Sequence, residues 1–451
     1  MSLLKLPLPA SLSDSRTWSR LYGSSLALAT VEAADNYTSG PVVLVVDDLA
    51  HAHQLQAAIE FYGSRQHEIL HLPDWETLPY DVFSPHQDII SERLKTLHAL
   101  PAIQPGNILI LPVNALLQKL TPRAYIDQHV LLLQVGEKLD IDAFRLRLEA
   151  SGYSNVSQVM EHGEFAVRGS IIDLYPAGSN LPYRLDLFDD EIETIRSFNP
   201  SDQRTLEQTE RIELLPAREF PTDKEAIKQF RERYREQIAG DPLISLIYNS
   251  VSDGQIPAGI EYYLPLYFDQ LETIFDYLPG GALFILPQQL DDDINGIWQN
   301  LTERYEQRRH DIERPILEPE KLFLQSNDVT QYISKHASVQ TSVHKSTVDA
   351  NNLDVDTPPE LLLQTQSQQP AKTFIDYLNN YSGRILLVAE TAGRREALNE
   401  LLRDNHLHAY ACSTWHEFLD SSEHLCITVS AIDHGLLLQE PALSVITEQQ
   451  I

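Results

Sequence analysis

Between Val159 and Phe198 the chain reads VMEHGEFAVRGSIIDLYPAGSNLPYRLDLFDDEIETIRSF, and its alternation constrains the fold more than any other stretch. Phe165, Val167 and Ile171 stand two or four positions apart, with Ala166, Arg168 and Ser170 between them. Successive side chains of a strand point to opposite faces, so this spacing predicts a half-buried strand. Pro176, Gly178, Ser179 and Asn180 supply a turn. A second run then sets Tyr183, Leu185 and Leu187 on one face and Arg184, Asp186 and Phe188 on the other. Asp189-Asp190 predicts the next turn, ahead of a third strand with Ile192 and Ile195; the acidic Asp189-Asp190-Glu191 therefore reads as a solvated turn, not a magnesium site. Strands and turns in this order predict an antiparallel meander. One side packs on a core, while the other turns Arg168, Arg184 and Phe188 to solvent. Aromatic and arginine residues dominate interface anchors, so this face reads as a docking surface. A solvated sheet face with one stray aromatic accounts for the same spacing.

The sequence on either side of the meander has a different pattern. Residues 41–46 (PVVLVV) and 107–113 (NILILPV) are continuous apolar runs, which suit strands buried on both faces of a parallel sheet. Residues 69–72 predict another strand, and 89–100 a helix between. Asp47 or Asp48 caps a helix that buries Leu55, Ala58, Ile59 and Tyr62 and stops at Gly63. Residues 1–39 are expected to be partly helical, with Leu26, Leu28 and Val31 in the core. Asp140 or Asp142 caps a helix carrying Phe144, Leu146 and Leu148, ending at Gly152. Residues 282–287 (ALFILP) and 321–325 are expected to complete the parallel layer, so the meander interrupts it. Residues 341–370 are polar with weak periodicity and read as a linker. Beyond them, a helix at 374–378, strands at 385–389, 426–429 and 444–447, a helix from Thr391 burying Leu398, Leu401 and Leu402, and a capping box at Thr414 and Glu417 predict a further small α/β unit. The turn Thr391-Ala392-Gly393-Arg394-Arg395 could hold an anion on its free amides, but an ordinary helix cap accounts for it.

Charge and composition exclude several functions. Affinity for nucleic acid rests on Lys and Arg neutralising phosphates, and a net charge of −31 repels DNA. Cys412 and Cys426 are the only two cysteines in 451 residues, which points to a reducing compartment, with the cytoplasm as the expected location. No apolar run approaches the about twenty residues that a membrane helix needs. His51/His53 and His67/His71 lack further ligands at metal spacing, so no metal is expected. There is no G-x-S-x-G elbow and no distinct carboxylate pair, so no catalytic residue is assigned.

Three segments carry a resemblance. They are His162-Gly163-Glu164-Phe165 with Arg168-Gly169, Ile172 to Pro176 (IDLYP), and Arg184 to Ile192 (RLDLFDDEI). Together they resemble the module shared by the B component of the nucleotide-excision-repair excinuclease and the bacterial transcription-repair coupling factor. Residues 71–94 (HLPDWETLPYDVFSPHQDIISERL) resemble the same proteins, and Pro257 to Tyr262 (PAGIEY) is similar to the coupling factor in particular. The resemblance implies that the module binds the excinuclease A component through Arg168, Arg184 and Phe188. It also implies that the parallel layer is a degenerate motor-like fold. A phosphate loop needs G-x-x-x-x-G-K-[ST], with glycine amides around the phosphates and a lysine on their charge. The matching position, Gly23, Ser24 and Ser25 after Tyr22, has one glycine and no lysine. No cofactor is expected there.

The expected organisation is a multidomain α/β chain. Residues 1–128 and 217–340 form the degenerate nucleotide-hydrolase-like domain, and 129–216 the inserted module with its antiparallel sheet. Residues 341–370 are the linker and 371–451 a small, C-terminally truncated α/β domain. The family's proteins continue into a polymerase-binding module and a DNA-translocating motor, so the chain reads as an N-terminal fragment. RNA polymerase and DNA would then be reached only through missing regions, and the meander's outer face would also contact the missing C-terminal half. Two other readings stay open: a nucleotide-dependent DNA-damage-binding enzyme like the excinuclease B component, and a purely structural fragment whose face meets only its own missing half.

Overall fold

The computed structural model describes residues 2–63, 67–363 and 370–451. Its first sheet has six strands, all parallel, in the order Ser15–Ser19, Ala337–Ser342, Leu283–Pro287, Val42–Val46, Ile108–Pro112, Ile69–His71. The unbroken apolar runs follow from burial on both faces. Val43, Val45, Leu109 and Leu111 face one core, while Val42, Leu44, Val46, Ile108 and Ile110 face another. The two halves of this sheet are separated in sequence by the meander, so the layer is discontinuous as expected.

Its closing strand is not where the pattern put it. Residues 321–325 hold the end of a short 3₁₀ turn, Pro319–Lys321, and an extended stretch with a single bridge, Gln118 to Phe323. The closing strand is Ala337–Ser342, which pairs with both Leu283–Pro287 and the edge strand Ser15–Ser19. Both missed strands are mixed in character (SRTWS and ASVQTS): the first is a partly exposed edge strand, and the second buries the polar Ser338 and Thr341. The helix Ser25–Asn36 does bury Leu28 and Val31, and Asp48 caps Leu49–Tyr62 by accepting from the His51 amide. That helix ends at Gly63, but with φ −74 and not in the left-handed region.

The inserted module holds a second sheet in the order Thr205–Thr209, Glu191–Phe198, Tyr183–Phe188, Ile171–Leu174, Glu164–Arg168, Ser154–Asn155. All neighbours are antiparallel except the last pair. Gly169 (φ +63) and Asp189 (φ +60) turn the two tight hairpins. Ile192 and Ile195 lie three apart, yet both are buried, because a register shift between Ile192 and Thr194 restores the core-facing side. Asp140 caps the helix Ile141–Ala150, which buries Phe144 and Leu148. Leu146 is 67% exposed, since it lies half a turn from those two positions.

The seam between module and host carries polar contacts beside the buried Ala177 and Leu215. Just past the module, where the chain re-enters the host, Glu219 accepts from Trp75 Nε1 (2.9 Å) and Arg93 Nε (2.8 Å), and both charged residues are buried. The Ser91 hydroxyl accepts from the Gly178 amide, and Gln87 donates to the Ala217 carbonyl at 2.7 Å. His162 sits between Asp88 (Nδ1, 2.7 Å) and the Ser179 carbonyl (Nε2, 2.8 Å). The module is thus fixed to helix Gln87–Ala99 and does not hang from a tether.

The last unit has the strand order Val355–Asp356, Leu436–Leu438, Leu443–Thr447, Arg384–Ala389, Leu425–Val429, Tyr410–Ala411. Thr391 caps its helix by accepting from the Arg394 amide, as an ordinary cap does. Thr414 accepts from the Glu417 amide, while the Glu417 carboxylate takes the Ser413 amide, one residue short of a full capping box. Within the expected linker, Thr341 and Ser342 end a strand, Val355–Asp356 pairs with Leu436–Leu438, and residues 364–369 lie outside the described residues. This unit shares a core with the first. Trp415 meets Tyr62 edge-on at 4.9 Å between ring centres, and Phe418 and Leu436 join Val42 and Leu44.

Candidate docking face and phosphate-loop position

The three residues expected to dock a partner, Arg168, Arg184 and Phe188, lie on the outer side of the module's sheet. Strand register sets Asp173 opposite both Ala166 and Arg184, and Arg184 opposite Arg196. Leu185 and Leu187 point inward to the module core, so Arg184 and Phe188 point outward. Phe188 ends its strand at the Asp189-Asp190 turn and is 75% exposed. An apolar ring left this open has no partner within its own module.

The two arginines are exposed to different degrees. Arg168 keeps 51% of its side chain in solvent, Arg184 only 20%. Arg184 lies over the Phe198 ring, 4.9 Å from its centre, and donates twice to Asp173, from Nε at 2.6 Å and from Nη2 at 2.9 Å. Arg168 donates to the same carboxylate. Asp173 itself is fully buried. The hydrogen bonds to Asp173, aided by its charge, raise Arg184 above the ordinary guanidinium value. A second pair, Arg196 with Asp186, continues the pattern along the face. The ion pairs on this face set three arginines against two aspartates, while exposed Asp189, Asp190 and Glu191 flank Phe188.

Asp173, Arg196 and Phe198 were not singled out from the sequence. The signal was there for Asp173, because an aspartate within the strand IIDL is rarely buried without a partner. Phe198 carried none, since its burial under Arg184 depends on a second small core of Val159, Ala166 and Phe198 on the outer side.

The phosphate-loop position is in the strand-to-helix turn between Ser15–Ser19 and Ser25–Asn36. Gly23 adopts φ +57, and a Cβ there would collide with the Gly435 carbonyl oxygen. That carbonyl accepts from the Ser24 amide (3.0 Å) and the Ser24 hydroxyl (3.1 Å), which also meets the Tyr62 hydroxyl at 2.7 Å. Ser25 is buried with its hydroxyl unpartnered. A cavity of about 470 Å³ opens beside this turn, at the carboxyl ends of the central strands, lined in part by Leu26, Val45, Asp47, His51 and Thr341. No lysine lines it. Among the described residues, no group of three or more His, Cys, Asp or Glu could hold a metal ion, and no helix is long and apolar enough to cross a membrane.

Fold and face define a multidomain α/β protein that carries an inserted antiparallel interaction module on a parallel body. Residues 131–220 match the family model described as the UvrB interaction domain, and residues 377–451 match the MFD, D3 domain. The chain is 40% identical over 449 residues to the transcription-repair-coupling factor of Escherichia coli, covering 98% of this chain and 38% of that protein. It is 38% identical over 438 residues to the Haemophilus influenzae factor, covering 96% of this chain and again 38% of the relative. The chain belongs to the transcription-repair-coupling factor family and corresponds to its N-terminal region. It therefore spans well under half the length of these relatives.

Proposed function

We propose that this region recruits the nucleotide-excision-repair machinery by capturing the excinuclease A component on the outer face of the inserted module. Phe188 fills an apolar recess of the partner, while Arg168 and Arg184 pair with its carboxylates. The observation that carries this reading is the open Phe188 ring on the same sheet face as two carboxylate-held guanidiniums, in a module that matches the UvrB interaction domain. In the whole protein the same face would meet its C-terminal half. RNA polymerase, DNA and ATP-driven translocation would belong to regions outside this chain.

The α/β body acts in this reading as a scaffold without a nucleotide site. A triphosphate at Gly23-Ser24-Ser25 would find no lysine, and it would compete with the Gly435 carbonyl for the Ser24 amide. The test is capture of the purified excinuclease A component by the chain and by its Arg184→Ala and Phe188→Ala variants, with melting curves alongside. Truncating an anchor of this kind costs about 2 kcal/mol or more of binding. Undiminished capture by both variants removes these residues from the site, and saturable ATP binding by the chain would restore the enzyme reading.

A further inference from the structure

We infer that Asp173 is the positioning residue of the docking face, acting on the partner only through Arg168 and Arg184; this rests on the proposed capture of the excinuclease A component. Asp173 has no exposed surface, so it cannot touch a partner. Its two oxygens are divided among the guanidiniums: Oδ1 takes Nε of Arg184, and Oδ2 takes Nη2 of both Arg184 and Arg168. The two-point contact to Arg184 fixes the plane of that guanidinium, and the Phe198 ring supports it from below. A guanidinium has five N–H donors. Arg184 commits two of them and Arg168 one, which leaves the others free to meet carboxylates.

Two cations this close repel, and in solution each would sample many rotamers. One buried anion between them removes much of the repulsion and holds both in one arrangement before the partner arrives, so less freedom is lost on binding. Because one carboxylate serves two guanidiniums, the pair still carries a net positive charge. Positioning and plain charge counting then predict opposite outcomes. Removing the aspartate charge makes the face more positive, which should strengthen attraction to an acidic partner if summed charge decides. If Asp173 positions the arginines, the same change weakens capture.

The experiment is titration of the excinuclease A component with the full chain and with Asp173→Asn, each also in an Arg168→Ala/Arg184→Ala background. A melting curve for each variant fixes a working temperature at which it is folded. Expected is a dissociation constant about tenfold weaker for Asp173→Asn in the wild-type background, with no further loss when both arginines are absent. A residue that merely supports the fold would cost the same in both backgrounds, and that result overturns the inference, as does unchanged or tighter binding. Phe198→Leu covers the case in which Asp173→Asn does not fold. It removes the ring under Arg184 without changing any charge, and it should weaken capture in the wild-type background alone; equal binding overturns the inference. If the wild-type chain itself does not bind, the recruitment reading fails, and this inference falls with it.

Discussion

Replacing Gly23 by alanine tests what the turn at the expected phosphate-loop position does in the fold. Gly23 has φ +57, a conformation that costs a residue with a Cβ about 1–2 kcal/mol. The new methyl would also collide with the Gly435 carbonyl and sit 2.8 Å from Pro358 Cγ. Either the 433–435 turn moves away or the strand-to-helix turn does. In both cases the two bonds from Ser24 to the Gly435 carbonyl are lost, at about 1 kcal/mol each. The sum is about 3–4 kcal/mol, and it falls on the contact between the first and last units, where Trp415 lies against Tyr62. Urea unfolding followed by tryptophan fluorescence should show a loss of that size. Gly296→Ala, on an open face of helix Leu290–Arg308 with nothing within 4 Å, should gain about 0.5–1 kcal/mol and serves as the control. A Gly23→Ala chain within about 1 kcal/mol of wild type would refute the idea that this turn is the socket for the last unit.

Other expectations follow from buried charge. Burial raises the Glu261 carboxyl from 4.5 to about 6, the lower value being that of the unfolded chain. The stability that favours its neutral form is complete below pH 4.5 and lost as pH rises through about 6, a cost near neutrality of about 2 kcal/mol. Glu261→Gln, which keeps an acceptor for the Ser84 hydroxyl, should therefore be more stable than wild type at about pH 7.5 by up to that amount and lose the advantage by pH 4.5; an equal difference at both would contradict it. Burial, and Cys426 beside it, push the Cys412 thiol up to about 12, so it should resist alkylation at about pH 8 until urea unfolds the chain. Glu219→Ala leaves the Arg93 guanidinium buried without its carboxylate and should cost about 3–5 kcal/mol by urea unfolding, whereas the double change Arg93→Met/Glu219→Leu should recover part of it, Trp75 Nε1 still lacking its acceptor.

How far the fold could be read depended on how much of each element is buried. The central strands 42–46 and 108–112 are apolar at every position and were legible. The edge strand Ser15–Ser19 was not, because a half-exposed strand tolerates polar residues, and its neighbour Ala337–Ser342 was not, because it buries Ser338 and Thr341 among its apolar residues and so leaves no periodic mark. Of Phe144, Leu146 and Leu148 on the helix Ile141–Ala150, Leu146 alone is exposed, as its helical angle dictates. The placement of Phe188 and the two arginines on one sheet face followed from alternation, but Asp173 required knowing which side of Ile171–Leu174 faces the arginines. Register of that kind is fixed by hairpin turns and a bulge between Ile192 and Thr194, and it appears only when the strands are paired. The use of Ser24 as a socket could not be read at all, since its partner Gly435 lies 411 residues away in sequence.

The most direct test of the recruitment account is calorimetric titration of the wild-type chain against the purified excinuclease A component, repeated with Phe188→Ala at the same ionic strength. The account predicts saturable binding by the wild type and, with the melting curve unchanged, a loss of roughly thirtyfold for the variant, the value expected when an aromatic anchor worth about 2 kcal/mol is removed. Absence of saturable binding by the wild-type chain, or equal affinity for both, would contradict it.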